Sequence, residues 1–328
     1  MRPGAHNALT DVPGVLVGHT THLGGGRLTG TTVVLLPPGT TTAVDVRGGG
    51  PSTRDTAALD PRQDHREVAA LVLTGGSSYG LASAHGVLEW VLGHRPDADP
   101  VVPTAALFDL GRGGDFTAHP TAASGRAAAA AATAGPVAQG NVGAGTGALT
   151  AQMKGGLGTA SAVLDDGTVV GAVVGMNSHH PALDHATGLP LGAAFGFPGE
   201  FPQQPHGEPA RTRAAARLAA TMDTRVMRQP LNTVIGIVAT TAPLTRPQTT
   251  RLAEQAHDGL ALAITPSHGL SDGDTIFTAA TGTAGTPEAA LAAAPAVFAR
   301  AIAHAVLAAE SVTTPWGHLA AYHELFAD

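Results

Sequence analysis

The chain has 328 residues, 43% of them apolar and 13% charged, so it is long enough and apolar enough to bury a large core. Its net charge of −7, from 18 basic and 25 acidic residues, argues against sequence-independent binding to nucleic acid or anionic lipid. The absence of cysteine excludes disulfides, thiolate metal sites and cysteine nucleophiles. No run reaches the roughly 18 apolar residues of a membrane helix, and we expect a soluble, cytoplasmic protein.

Short β-branched runs and helical patterns follow one another along the chain. In chain order, the sequence predicts strands at 32–36 and 69–73, helices at 80–92 and 126–133, a strand at 168–174, a helix at 211–227, a strand at 233–239, and helices at 247–262 and 287–310, the last interrupted by Pro295. Strands and helices each bunch together, which favours an α/β (α+β) fold with packed β layers and helices outside. Residues 195–210 are rich in proline and glycine and are predicted to form an exposed loop.

Lys154 is the only lysine among the 18 basic residues, and it lies in a glycine-rich turn. A bias toward arginine codons explains the excess of arginine but not the one lysine that remains. The position is therefore a candidate functional site.

An Asn232–Thr233 pair stands at the start of a predicted apolar strand. A threonine hydroxyl is a poor nucleophile without an adjoining base, and the most compact base is the α-amine of an N-terminal threonine. Such a terminus requires a cut between the two residues, by attack of Thr233 Oγ1 on the Asn232 carbonyl, an N-to-O acyl shift and hydrolysis of the ester. The spacing alone favours an ordinary turn followed by a strand.

Six stretches, in one order along most of the chain, decide between these interpretations. They are 7–19 (NALTDVPGVLVGH), 46–55 (VRGGGPSTRD), 73–81 (LTGGSSYGL), 140–147 (GNVGAGTG), 231–238 (LNTVIGIV) and 271–275 (SDGDT). Together they resemble the self-processing N-terminal-nucleophile hydrolases that include L-aminopeptidase/D-esterase, β-peptidyl aminopeptidases and nylon-oligomer (6-aminohexanoate oligomer) hydrolase. The resemblance implies a four-layer α/β/β/α sandwich in a single catalytic domain. It also implies amide hydrolysis through an acyl-enzyme without a cofactor.

The resemblance assigns the cut and the nucleophile. Self-cleavage between Asn232 and Thr233 would give a large chain of residues 1–232 and a small chain of residues 233–328, with Thr233 as nucleophile. The two fragments would form a heterodimer, and four heterodimers a tetramer. The partner would be a small amide or peptide substrate.

The resemblance also implies the supporting residues. Asn177 matches a donor to the oxyanion, and such a donor supplies about 3 kcal/mol of transition-state stabilisation. Asp272 and Asp274 match the pair that orients the nucleophile, and alternation about Gly273 puts both on one side of an extended segment. Lys154 matches a catalytic lysine, which we expect to lie beside the α-amine and the carboxylates and to keep the amine neutral.

Three further residues are candidates for the substrate pocket: Tyr79, Gln139 and Asn141. Tyr79 opens a predicted helix, and core packing is an equal alternative for it. Some aminopeptidases of the family carry an acidic residue where this chain has Gln139, which puts recognition of a free amine in doubt. Threonine, lysine and two aspartates together favour the nylon-oligomer hydrolase branch.

Other functions remain as alternatives. One is a glutamate N-acetyltransferase-like acyl transferase of related fold, and another is a ligand-binding protein that is never cut. The glycine-rich stretch 143–147 departs from the dinucleotide pattern at Ala148. The cluster His179, His180 and His185 suggests zinc, but Pro181 disrupts the helical spacing, so no metal is assigned.

Overall fold

The structure is a computed structural model of the chain, and it describes residues 1–63, 67–96, 99–222 and 232–327. The strands are β1 (Leu16–Gly24), β2 (Arg27–Leu35), β3 (Thr41–Val46), β4 (Thr53–Arg54), β5 (Ala70–Thr74), β6 (Thr104–Ala106), β7 (Leu149–Thr150), β8 (Met153–Lys154), β9 (Leu157–Val163), β10 (Val169–Gly175), β11 (Ile235–Thr240), β12 (Thr275–Ala280), β13 (Val312–Thr314) and β14 (Gly317–Leu319). The helices are α1 (Ser77–Gly80), α2 (Ser83–His94), α3 (Ala122–Ala130), α4 (Glu208–Met222), α5 (Arg246–Ala263), α6 (Pro287–Leu307) and α7 (Tyr322–Leu325).

Two five-stranded sheets form the centre of the molecule, one in the order β1-β2-β5-β6-β4 and the other in the order β3-β12-β11-β10-β9. Side chains such as Leu71, Val173 and Ile237 fill the space between the sheets. Helices α2 and α3 cover the outer face of the first sheet, and α5 and α6 cover the second. The predicted α/β/β/α sandwich is therefore confirmed.

The predicted helices and strands are present with shifted ends, but the sequence analysis did not predict several of the strands. Strands β1, β3, β9 and β12 carry threonine, glycine or histidine among their apolar residues, which obscures the pattern of a buried strand. The predicted helix 211–227 begins earlier, as α4, and its last five residues lie outside the described part of the chain.

Helix α6 runs unbroken through Pro295, so the predicted interruption is wrong. Proline removes one helical hydrogen bond. About two-thirds of α6 is buried against the outer face of the second sheet and α5, and the packing of its apolar side chains there offsets that loss. At the crossing with α5, a Cβ on Gly259 would come within 2.3 Å of the Pro295 carbonyl oxygen, so only glycine fits there. By length and composition alone α6 could span a membrane, and its burial identifies it as a core helix.

The predicted exposed loop 195–210 is shorter and partly buried, because α4 already begins at Glu208 and an ion pair of buried side chains anchors the segment before it. Arg300 of α6 makes two hydrogen bonds to the Glu200 carboxylate, Nη2 to Oε1 at 2.6 Å and Nε to Oε2 at 2.9 Å. The Arg300 and Glu200 side chains are only 2% and 8% exposed. Asn7 and His304 add contacts to Glu200 Oε1, so this loop is tied to both the N-terminal segment and the helical layer.

We expect Arg300→Met to lower the free energy of unfolding by about 3–5 kcal/mol, because it leaves the Glu200 carboxylate buried without its cation. Urea unfolding at fixed protein concentration measures the loss. The control is Arg251→Met, which breaks the exposed pair with Glu254 and should cost less than about 1 kcal/mol. Equal losses in the two variants would contradict the anchoring role of the buried pair.

Candidate active site

Three neighbouring strands place the candidate residues. The antiparallel register of β10 and β11 pairs Gly175 with Ile235, and continuing it two residues sets Asn177 opposite Thr233. A hydrogen bond of 2.7 Å from Thr233 N to the Asn177 carbonyl oxygen shows that the pairing of the two chains continues to these residues. The parallel register of β11 and β12 likewise continues to a bridge between Asn232 and Asp272. The site is thus an extension of the second sheet beyond its regular strands.

The Thr233 hydroxyl lies against the peptide bond that precedes it. Its Oγ1 donates to the Asn232 carbonyl oxygen at 2.6 Å, and the residue is 6% exposed. The Asn232 side-chain amide lies 3.3 Å from His179 Nδ1. The predicted nucleophile and the carbonyl of the predicted cut are therefore adjacent in a buried setting.

The Asn177 amide has a defined orientation. Its Oδ1 accepts from Arg112 Nη1 at 2.6 Å and from Leu149 N at 3.1 Å. Because both partners are donors, the oxygen must face them and Nδ2 must point away. Nδ2 is buried and makes no hydrogen bond to any described residue. A free buried donor on the residue that also binds Thr233 N is the arrangement that an oxyanion site needs.

The two aspartates face one small cavity beside Val234. Asp274 Oδ1 accepts from Val234 N and its Oδ2 contacts His268 Nδ1, both at 2.8 Å. Asp272 Oδ2 accepts from Gly269 N at 2.6 Å, while its Oδ1 is buried and unpaired within the described residues. The cavity measures about 10 Å³, enough for roughly one water.

Lys154 is fully buried on β8 and bonded to main-chain oxygens. Its Nζ donates to the carbonyls of Gly145, Ala148 and Gly155 at 3.1, 3.2 and 2.5 Å. The charges that act on it are those of Arg112 and Asp109. Its hydrogen bonds thus join it to the loop that carries Leu149 rather than to the two aspartates, and its catalytic role stays a prediction.

Burial is the main influence on the pKa values of Lys154 and Asp109. It lowers the pKa of Lys154 to about 7, with a further contribution from Arg112, and Asp109 acts in the opposite direction. Burial also raises the pKa of Asp109 to about 6, against the influence of Arg112. Both groups therefore change charge close to neutral pH.

The three predicted pocket residues make their hydrogen bonds and ring contacts with residues other than the candidate catalytic residues. Tyr79 is 63% exposed and stacks on His119. Gln139 Oε1 accepts from Thr159 N, and Asn141 bonds to the Glu310 main chain at both of its side-chain atoms. Their assignment to the pocket stays a prediction.

The histidine cluster does not assemble as a metal site. Within the ranges that the structure describes, no three histidine, aspartate or glutamate side chains gather in a way that could hold a metal ion. His179 and His180 meet edge to face, and His185 lines a separate apolar cavity of about 340 Å³.

Sequence reasoning missed three residues: Asp109, Arg112 and His268. Arg112 and Asp109 lie in a glycine-rich stretch, DLGRGG, between β6 and α3, and charged residues are seldom fully buried unless they are paired. His268 stands three residues before the aspartate motif 271–275. Neither feature of the sequence shows which residues Asp109, Arg112 and His268 contact in the folded chain.

Residues 7–320 match the description of Peptidase family S58. The chain belongs to this family. It is 44% identical to an uncharacterized aminopeptidase of Mycobacterium leprae, over 93% of this chain and 91% of that protein. It is 31% identical to the β-peptidyl aminopeptidase of Sphingosinicella xenopeptidilytica, over 79% and 65% of the two chains. It is 30% identical to a 6-aminohexanoate-oligomer endohydrolase of Kocuria sp., over 83% and 74%.

Solved structures agree on the fold. A Burkholderia β-aminopeptidase superimposes with a TM-score of 0.70 at 25% identity, covering 99% of this chain and 93% of its own. The L-aminopeptidase D-Ala-esterase/amidase of Ochrobactrum anthropi, described as a variant of the Ntn hydrolase fold, gives 0.72 at 23% identity with the same coverage. This S58 chain is a hydrolase of peptide or amide bonds, and these relatives lend no support to the acyl-transferase or ligand-binding alternatives.

We expect Arg112→Met to reduce kcat by about 10-fold or more with little change in KM, because the Asn177 amide loses the donor that orients it. Asn177→Ala should cost about 10²–10³-fold. If Arg112 acts through Asn177, the double variant will be no slower than Asn177→Ala alone. Fully additive losses would show that Arg112 acts elsewhere.

The pKa of Lys154 predicts a pH dependence of stability. Between the folded value of about 7 and the ordinary value of 10.5, the unfolded chain binds more protons than the folded one, so the free energy of unfolding rises with pH. Across this window, we expect the free energy of unfolding of the wild type to increase relative to that of Lys154→Met by up to about 1.4 kcal/mol per pH unit. Both are compared on a Thr233→Ala background so that one covalent chain unfolds. A difference that is constant from pH 7 to pH 10 would contradict the assignment.

Proposed function

We propose that the chain cuts itself between Asn232 and Thr233 and then hydrolyses amides through an acyl-enzyme on Thr233. The observation that carries this proposal is the contact of Thr233 Oγ1 with the Asn232 carbonyl oxygen, at 2.6 Å in a buried site. Membership of a peptidase family whose relatives include amide hydrolases supports it.

Self-cleavage proceeds in two balanced steps. Thr233 Oγ1 attacks the Asn232 carbonyl carbon, the C–N bond breaks, and the hydroxyl proton passes to the released Thr233 nitrogen, which leaves an ester. Water then hydrolyses the ester to the Asn232 carboxylate and the free hydroxyl. The cavity beside Val234 holds about one water and is lined by Asp272, a carboxylate suited to accept a proton from it.

In the mature enzyme the same atoms act on substrate. The α-amine of Thr233 accepts the proton of Oγ1 as the hydroxyl attacks the substrate carbonyl. Asn177 Nδ2 stabilises the oxyanion, the product amine leaves with the proton, and water releases the acid from the acyl-enzyme. The α-amine is free only after the bond to Asn232 is cut, so self-cleavage must precede turnover.

The substrate class follows from what the relatives are named for and from Gln139. We propose linear amides of peptides or ω-amino acids. Gln139 offers no carboxylate to pair with an ammonium group, and its Oε1 is already bonded to Thr159 N. Comparison of p-nitroanilides, β-peptides and 6-aminohexanoate oligomers, each with a free and an acylated amine, tests whether a free amine is required.

The assembly and location belong to the same proposal. Residues 1–232 and 233–328 would remain together as a heterodimer because β11 lies between β10 of the large fragment and β12 of its own. We propose a tetramer of these heterodimers in the cytoplasm, and the mass of the purified particle in solution tests the assembly.

We expect the purified wild type to separate on a denaturing gel into fragments of 232 and 96 residues, the smaller beginning Thr-Val-Ile-Gly. Thr233→Ala should remain uncut and inactive because it lacks the nucleophile. Thr233→Ser should be cut and keep part of the activity, since it retains the hydroxyl. A single intact chain with full activity would refute the mechanism.

A further inference from the structure

His268 adopts a backbone conformation that is unfavourable for a side chain. Its φ is +59°, in the left-handed region, and the next residue is Gly269. Glycine occupies such positions without strain, whereas a non-glycine residue there is sustained by its surroundings. The imidazole ring must therefore make contacts that compensate for the strained backbone.

The ring holds one of the two active-site carboxylates. Its Nδ1 lies 2.8 Å from Asp274 Oδ2, and because a carboxylate only accepts, Nδ1 carries the proton. The other oxygen, Asp274 Oδ1, accepts the main-chain N–H of Val234. One carboxylate thus connects the histidine to the residue that follows Thr233.

The far side of the ring meets a second histidine. His268 Nε2 is buried and unpaired among the described residues, and the rings of His268 and His257 meet edge to face at 4.9 Å. His257 Nε2 contacts the Asp45 carbonyl oxygen, and burial lowers the pKa of His257 to about 4, so it is neutral at pH 7. The charged groups beyond it are Asp45 and Arg47. Asp274 is the one acidic side chain within ion-pair distance of His268 among the described residues.

We propose that His268 is a positioning residue for the nucleophile. Its Nδ1–H fixes Asp274 so that the second oxygen holds Val234 N, which sets the place of Thr233 during self-cleavage and turnover. The proposal rests on the function proposed above. Either protonation state of the ring keeps Nδ1–H, so the role requires a donor at this position and no change of charge.

Three substitutions separate the donor from the backbone conformation. Asn and Asp both tolerate the left-handed region and have the same shape, but only Asn offers an N–H near the position of Nδ1. Glycine relieves the strain and removes the side chain. The variants are therefore His268→Asn, His268→Asp and His268→Gly, with His85→Asn on the exposed face of α2 as control.

The experiment measures the rate of fragment appearance, and kcat and KM on cut enzyme between pH 5 and 9. We expect H268N to stay within about 3-fold of wild type with an unchanged pH profile. H268D and H268G should lose about 10–100-fold in self-cleavage and kcat with KM little changed, the scale of a misplaced nucleophile. The free energy of unfolding of each variant is measured alongside, so that a loss of fold is distinguished from a misplaced nucleophile, and His85→Asn should behave as wild type.

Each other outcome has a defined meaning. Wild-type rates in H268G or H268D would overturn the proposal, and so would an H268N as slow as H268D, since the ring itself would then be needed. Should H268G fail to fold, the comparison of H268N with H268D decides alone. A wild type that is active but uncut would refute the proposed function, whereas cut and active wild type with unimpaired H268G would refute this inference only.

Discussion

The hydrogen bond from Thr233 N to the Asn177 carbonyl oxygen is the constraint on which the site depends. It continues the β10–β11 register two residues past the last regular pair, so the proposed nucleophile and the candidate oxyanion donor are cross-strand neighbours. The neighbouring β11–β12 register sets Asp272 beside Asn232 and Asp274 beside Val234. Because a register shift of one residue turns every side chain to the other face, these pairings fix the chemistry as well as the fold.

A second set of polar contacts, made by Lys154, Leu149 and Arg112, supports the Asn177 side chain. Lys154 binds the carbonyls of Gly145 and Ala148, and the next residue, Leu149, donates to Asn177 Oδ1. Arg112 reaches the same oxygen. Burying these charges is costly, and each is compensated by hydrogen bonds to main-chain or side-chain oxygens. The lone lysine, expected in a glycine-rich turn, lies on β8, where the carbonyls of Gly145, Ala148 and Gly155 surround its ammonium group.

The family resemblance implied the layers, which the structure confirms, and it nominated Thr233, Asn177 and the two aspartates, whose roles stay predictions. The structure brings these four residues together at the ends of neighbouring strands. The contacts of Arg112 with Asn177 and of Lys154 with its loop depend on tertiary packing over long separations, which periodicity does not encode. Lys154 illustrates the limit, since composition marked the residue and only the structure showed that main-chain carbonyls surround it. Helix α6 shows the same effect, because core packing outweighed the local preference of Pro295.

The central claim is that one residue supplies both the attacking hydroxyl and the free amine that activates it. Dilute periodate tests it directly, because it cleaves a 1,2-amino alcohol and so oxidises an N-terminal threonine in preference to one within a chain. The account predicts that brief treatment converts the first residue of the small fragment to a glyoxylyl group, seen by mass spectrometry, and that activity falls in proportion to the fraction converted. Full activity after complete conversion of Thr233 would contradict it.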